Sequence, residues 1–181
     1  MAEKKYFKLN DIYKSKILFQ NKVFFCQIGK FGLTQFYSKK EGDYKTPRGK
    51  WELGKFFYKK SSVNFFNINK KYKNKLINIS CDYIWCDDIN NNNYNKFLKK
   101  SKLSKTNIGS YENLYRNDGA YDIIIEIKSN NKPIIKNKGS AIFLHCSFSD
   151  FRSTKGCIAL KKNDLKYIIS HLQSEKYIYI G

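Results

Sequence analysis

The chain has 181 residues, 35 of them Lys or Arg against 15 Asp or Glu, for a formal net charge of +20. A hydrophobic content of 41% with 17% aromatic residues excludes a disordered polycation and supports a sizeable core. No apolar run is long enough to cross a bilayer as a helix, and the opening Met1-Ala2-Glu3-Lys4-Lys5-Tyr6 lacks the apolar stretch of a secretion signal.

Residues 1–181 read as one domain, expected to be a monomer. The basic excess is almost wholly lysine, 32 Lys to 3 Arg, and it is spread along the chain. Arginine is the residue suited to bidentate recognition of phosphates and bases, so this excess argues against a dedicated nucleic-acid function. Lys, Asn, Ile and Tyr dominate together, as A/T-rich coding produces. A general attraction to polyanions still follows from the charge.

The predicted elements are mostly short strands rich in Ile, Val, Phe and Tyr: 16–20, 23–29 and 33–37 in the first part of the chain. The Asn-rich stretch 89–95 reads as a surface loop, followed or overlapped by a short helix over 93–100. Strand 121–127 is expected to form a hairpin with 133–135 around Ser129-Asn130-Asn131. Strands follow at 140–145 and 156–160. A helix then covers Leu165–Leu172, capped by Asn163 or Asp164. The fold class is mainly β, a sandwich or partly closed barrel with one or two peripheral helices.

Five cysteines stand at 26, 81, 86, 146 and 157. Cys81 and Cys86 have no matching Cys/His pair elsewhere, so no metal site is predicted. The odd count leaves at least one thiol free, and Cys157 is the natural candidate. It follows Gly156, opens the apolar run Ile158-Ala159-Leu160, and lies twelve residues after His145. An imidazole that accepts a thiol proton makes the sulfur nucleophilic. Backbone N–H groups around Lys155, Gly156 and Cys157 are placed to receive an acyl oxyanion, and glycine lets a substrate approach closely. The carbonyl of Cys146 is the nearest acceptor to orient His145. The competing reading makes Cys146 and Cys157 buried core residues and His145 a satisfied strand-end histidine.

Four segments together bear on that choice. His145 to Leu160, His-Cys-Ser-Phe-Ser-Asp-Phe-Arg-Ser-Thr-Lys-Gly-Cys-Ile-Ala-Leu, resembles the active-site stretch of the L,D-transpeptidase (YkuD) catalytic domain. Upstream, Gly42-Asp43-Tyr44-Lys45-Thr46-Pro47-Arg48-Gly49 is similar to that family's Gly-Asp…Thr-Pro-x-Gly turn. Trp85-Cys86-Asp87-Asp88 with Tyr94-Asn95, and then Glu112 to Asp122, resemble one proteobacterial branch. The resemblance is clearest over 42–172.

The resemblance implies an acyltransferase of peptidoglycan stem peptides, with Cys157 as nucleophile, His145 as base, the Cys146 carbonyl orienting the imidazole and the Gly156 amide binding the oxyanion. It implies no cofactor and no metal, and a location in the periplasm or cell envelope although no signal peptide is visible. The chain departs from the family at Lys155, where many members have a second histidine, and at Ala159 and Leu160, where many have arginine or asparagine. Arg152, Arg116, Ser153, Thr154 and Trp85 are the expected substrate-binding residues. Arg116 has an equal structural alternative in pairing with Asp118 or Asp122, and Asp43 and Thr46 read as turn-fixing groups. An L,D-carboxypeptidase, or a non-catalytic basic module binding polyanions, are the alternatives to the transpeptidase.

Overall fold

The computed structural model describes residues 7–10, 15–64, 70–73, 75–103, 108–173 and 176–181. Among them are strands β1 Phe7–Asn10, β2 Lys16–Phe19, β3 Lys22–Gln27, β4 Leu33–Thr34, β5 Thr46–Pro47, β6 Gly49–Tyr58 and β7 Leu76–Asn78. They continue with β8 Tyr83–Cys86, β9 Phe97–Lys99, β10 Tyr111–Asn113, β11 Ile123–Ile127, β12 Phe143–Cys146, β13 Ile158–Leu160 and β14 Tyr177–Ile180. A helical turn, α1, covers Lys70–Lys73, and one longer helix, α2, covers Lys162–His171.

Two sheets face each other. The first has the order β3-β2-β1-β14-β6 and the second β7-β6-β11-β12-β13-β3. Strands β3 and β6 are shared because each changes neighbours along its length. Lys22–Phe25 pair with β2 and Cys26–Gln27 with β13. Gly49–Glu52 pair with β14, and Leu53–Tyr58 with β11. The result is a mainly-β sandwich whose two sheets have two strands in common, and it is not a closed barrel.

Strand alternation sorts the apolar residues into two cores. Ile17, Phe19, Ile178 and Ile180 of the first sheet meet Ile123, Ile125, Leu144, Cys146, Ile158 and Leu160 of the second. Helix α2 closes this core with Leu165, Ile168, Ile169 and Leu172. The residues between them in sequence, Ile124 and Phe143, point to the other side of the second sheet. There they meet Trp85, Leu114 and Tyr121 beneath a small sheet, β10-β8-β9. Strand β11, Ile-Ile-Ile-Glu-Ile, is buried along its whole length because both its faces are covered.

The structure corrects several expectations. Ile123–Ile127 does not form a hairpin with 133–135; β11 lies between β12 and β6, and 133–135 form no strand. The Asn130 side chain instead serves that loop's backbone, donating to the carbonyls of Ile135 and Gly139 and accepting from the Ile135 amide. No helix covers 93–100: Asn95 sits at φ 56°, and Phe97–Lys99 pair with β8 as β9 before a short 3₁₀ turn at Lys100–Lys102. The Asn-rich stretch is not wholly at the surface, since Tyr94 is buried and its hydroxyl meets Glu41 at 2.5 Å. Strand 33–37 stops after Thr34, and Phe36–Ser38 form a 3₁₀ turn. Helix α2 starts at Lys162, with Lys161 as its uncapped N-cap, so Asp164 lies in the first turn instead of capping it.

Candidate active site

Position on the sheet brings the histidine and the cysteine together. His145 of β12 is the register partner of Ala159 in the parallel β13. Cys157 lies two residues before Ala159, so alternation puts its side chain on the same face as His145, one diagonal step away. Such neighbours have Cβ atoms about 7 Å apart, a gap that the two side chains can span. That face is the outer one of the second sheet, where Cys157 packs against the Phe143, Trp85 and Tyr121 cluster.

The backbone around Cys157 is fixed from three directions. Its carbonyl accepts from Thr154 Oγ1 at 2.6 Å and from Thr46 Oγ1 at 3.3 Å. Thr46, wholly buried in the Thr-Pro turn, also accepts from the Gly29 amide at 2.9 Å. Asp43 fixes the same turn by accepting from the amides of Lys40 and Lys45 and from the buried ammonium of Lys39. Gly156 has φ 138°, and a Cβ there would stand 3.0 Å from the Lys45 carbonyl oxygen, so glycine is required on both counts. Its amide donates to Thr154 Oγ1 at 3.1 Å.

The Cys157 Sγ donates to the Ala141 carbonyl at 3.2 Å and accepts from the Phe143 amide at 3.4 Å. Burial pushes this thiol up to about 12, against the opposing pull of the Phe143 N–H; Glu112 and Glu41 add to the rise and Lys39 opposes it. His145 is 4% exposed, and burial lowers it to about 4 despite the Cys146 carbonyl, 2.8 Å from Nδ1. At neutral pH the pair is therefore thiol and neutral imidazole. With the Nδ1 proton on the Cys146 carbonyl, the Nε2 lone pair is left to accept a proton. The rings of Tyr121 and Phe148 flank the imidazole edge-on, with centroids 5.4 and 6.5 Å away.

Beside this face is an open cavity of about 540 Å³, lined by Tyr111, Glu112, Asn113, Arg116 and Asp118 among others. The donors of Arg116 are already engaged. Nη1 meets Glu112 at 2.8 Å, while Nε and Nη2 fork onto Asp118, and the guanidinium lies 4.9 Å from the centre of the Tyr121 ring. Tyr121 in turn donates to Glu112 at 3.0 Å.

The other residues expected to bind substrate are placed differently from one another. Trp85 is 3% exposed, its indole N–H on Asn95 Oδ1 at 2.8 Å and its ring against Phe143, so it lies below the cleft in the packed layer. Thr154 is buried with its hydroxyl turned to the Cys157 loop. Ser153 is exposed. Arg152 is exposed too, stacked 3.8 Å above Phe148 next to the imidazole. Lys155 is exposed, while Ala159 and Leu160 are buried within β13. All five cysteines are free thiols.

Sequence reasoning missed Tyr121, Glu112 and Phe148 as neighbours of the pair. Tyr121 and Glu112 lie inside the segment singled out by resemblance, but only the packing of that segment over the second sheet shows that the Tyr121 ring meets His145 and its hydroxyl meets Glu112. No cluster of three His, Cys, Asp or Glu side chains suited to a metal ion occurs among the described residues.

The fold is thus a mainly-β sandwich with His145 in β12 and Cys157 immediately before the adjacent parallel β13. The sequence matches the family model of the L,D-transpeptidase catalytic domain, YkuD, over residues 12–180. The chain belongs to this family. No curated protein and no solved structure matches it.

Proposed function

We propose that this protein is a peptidoglycan L,D-transpeptidase of the cell envelope in which Cys157 is the nucleophile and His145 the base. The supporting observation is the diagonal placement of the two side chains on one face of β12 and β13, with the imidazole Nδ1 held by the Cys146 carbonyl. The Cys157 sulfur attacks the carbonyl carbon of an L-residue in a donor tetrapeptide stem while its proton passes to His145 Nε2. The C–N bond to the terminal D-residue then breaks, and that amine takes the proton, leaving a thioester. An acceptor amine attacks the thioester, gives a proton to Nε2 and forms the cross-link. The thiol departs and recovers the proton.

In this reading the neutral resting pair delays ionisation of the sulfur until a carbonyl is in place. The Gly156 amide serves the oxyanion once it releases Thr154 Oγ1, within a turn that only glycine can form. Arg152 and Ser153 face the stem from the exposed side, and Arg116 acts through its carboxylate partners. Incubation with purified muropeptides, followed by mass measurement, tests the proposal. Cross-linked dimers are expected from the unaltered protein and none from Cys157→Ala. Trimmed tripeptides without dimers would make it a carboxypeptidase, and products persisting in Cys157→Ala would remove Cys157 from the chemistry.

A further inference from the structure

The outward face of the first sheet carries an apolar and basic surface unrelated to the cleft. Alternation that turns Ile17 and Phe19 inward turns Lys16 and Leu18 outward on β2, with Val23 and Phe25 beside them on β3. Leu18 and Val23 are direct register partners, and so are Lys16 and Phe25. On the far side of β1, Tyr177 and Tyr179 of β14 pair with Glu52 and Lys50 of β6. Phe25 is 63% exposed and Val23 54%, with Leu18 and Tyr177 also exposed. Single apolar residues at a surface are ordinary, but Leu18, Val23 and Phe25 exposed side by side on two paired strands are not.

Lysines are interleaved with these side chains. The Lys16 ammonium lies 5.5 Å from the Phe25 ring, and Lys50 lies 4.6 Å from Tyr177 and 5.3 Å from Tyr179. The acid of this face, Glu52, is paired with Lys128 at 3.2 Å.

We infer that this face docks the protein on an anionic phospholipid bilayer. Phe25, Val23 and Leu18 enter the headgroup boundary, and Lys16 and Lys50 meet the lipid phosphates. No helix among the described residues is long and apolar enough to span a membrane, so the contact is peripheral. Apolar side chains and lysines together make the two-part attraction that such binding requires. The charge of +20 complements an anionic leaflet and makes a second copy of the chain a repulsive partner for the same face.

Aliphatic Leu18 and Val23 stack poorly on bases, which separates this face from the aromatic platforms that hold single-stranded nucleic acid. Orientation gives the docking a consequence. The inner side of this sheet faces the main core, and His145 and Cys157 lie on the outer side of the opposite sheet. A molecule seated on lipid by Phe25 therefore turns its cleft away from the bilayer. The inference rests on this surface alone and does not depend on the chemistry of Cys157.

Vesicle flotation tests it, using phosphatidylcholine alone and phosphatidylcholine mixed with phosphatidylglycerol. Flotation only with the mixed vesicles, weakened by salt, is expected. Val23→Ser with Phe25→Ser should reduce binding about tenfold while leaving Tm and Cys157 labelling unchanged. Should that pair disturb folding, Lys16→Glu with Lys50→Glu should reduce binding to the mixed vesicles by about tenfold or more. Equal flotation with both vesicle types, or undiminished binding by folded variants, overturns the inference. So does finding that these substitutions abolish binding to single-stranded nucleic acid or self-association while leaving vesicle binding intact.

Discussion

The ring of Tyr121 stands edge-on to the imidazole of His145, with centroids 5.4 Å apart, while its hydroxyl donates to Glu112 at 3.0 Å. One side chain thus joins the wall around the histidine to the ion cluster at the cleft. Tyr121→Phe keeps the ring and loses one hydrogen bond, a cost of about 1 kcal/mol. Tyr121→Ala removes a buried aromatic wall, costs about 4 kcal/mol and frees the imidazole to turn. Muropeptide turnover and Tm together read the difference: Phe should retain most activity and Ala very little. Equal turnover by the two variants would show that the ring does not position His145.

Arg116 is held by two carboxylates, and this arrangement distinguishes its possible roles. Its side chain is about one-third exposed, so the pairs with Glu112 and Asp118 are screened by solvent. Arg116→Lys keeps the charge but loses the fork, and should lower stability by no more than about 1 kcal/mol. Its loss should lower turnover mainly through kcat, because its donors are engaged by Glu112 and Asp118 and its guanidinium lies against Tyr121. A large rise in KM at unchanged Tm and kcat would instead make Arg116 a direct ligand of the stem carboxylate.

The perturbed groups of the site set limits on pH. His145 is lowered from 6.5 to about 4 by burial, so the stability gained by keeping it neutral is fully present above 6.5 and is lost as pH falls through 4. The amount is on the order of 3 kcal/mol. Cys26, Cys146 and Cys157 are raised by burial from 9.0 to about 12, so their contribution is present below 9 and is lost as pH rises toward 12. Denaturant unfolding should show a plateau between these limits, with the acid slope reduced in His145→Gln. Alkylation of Cys157 by iodoacetamide, followed by peptide mass, should keep accelerating past pH 9. A rate already level near neutral pH would reveal a thiolate–imidazolium pair instead.

Much of the sandwich was legible because its strands are short apolar runs, but the periods of individual runs misled where side chains rescued the backbone. Asn130 alone supplies two hydrogen bonds to Ile135 that a hairpin strand would otherwise have made at 133–135, and a third to Gly139. Phe97 and Leu98 suit a helix face as well as a strand, and only the proximity of β8 decides between them. The longest strand, β6, escaped because Gly49, Gly54 and its scattered lysines break the apolar alternation. Gly54 leaves room for the Glu126 carboxylate, which would otherwise have to shift, since a Cβ would stand 2.2 Å from it. At the site, local pattern singled out Cys157 and His145 but left a buried-core reading open, and only the resemblance across four segments chose between them. The pair's neighbours Tyr121 and Glu112 depend on how the small β10-β8-β9 sheet packs over β11 and β12, which short-range pattern does not encode.

Thr46 and Thr154 reach the Cys157 carbonyl from segments 111 and 3 residues away, so the Thr-Pro turn and the Gly-Cys loop hold Cys157 jointly. Thr46→Val keeps the shape but leaves the buried Gly29 amide without its acceptor, at a cost of about 2 kcal/mol. Thr154→Val does the same to the Gly156 amide. Either variant leaves one hydroxyl on the carbonyl, so each should lower Tm while Cys157 still labels with an acylating probe. The double variant removes both, and groups sharing one acceptor are not independent. Its acylation rate should fall by more than the product of the single effects, measured as a double-mutant cycle on Cys157 labelling. Strict additivity would mean that the two threonines stabilise their own loops without jointly holding the cysteine.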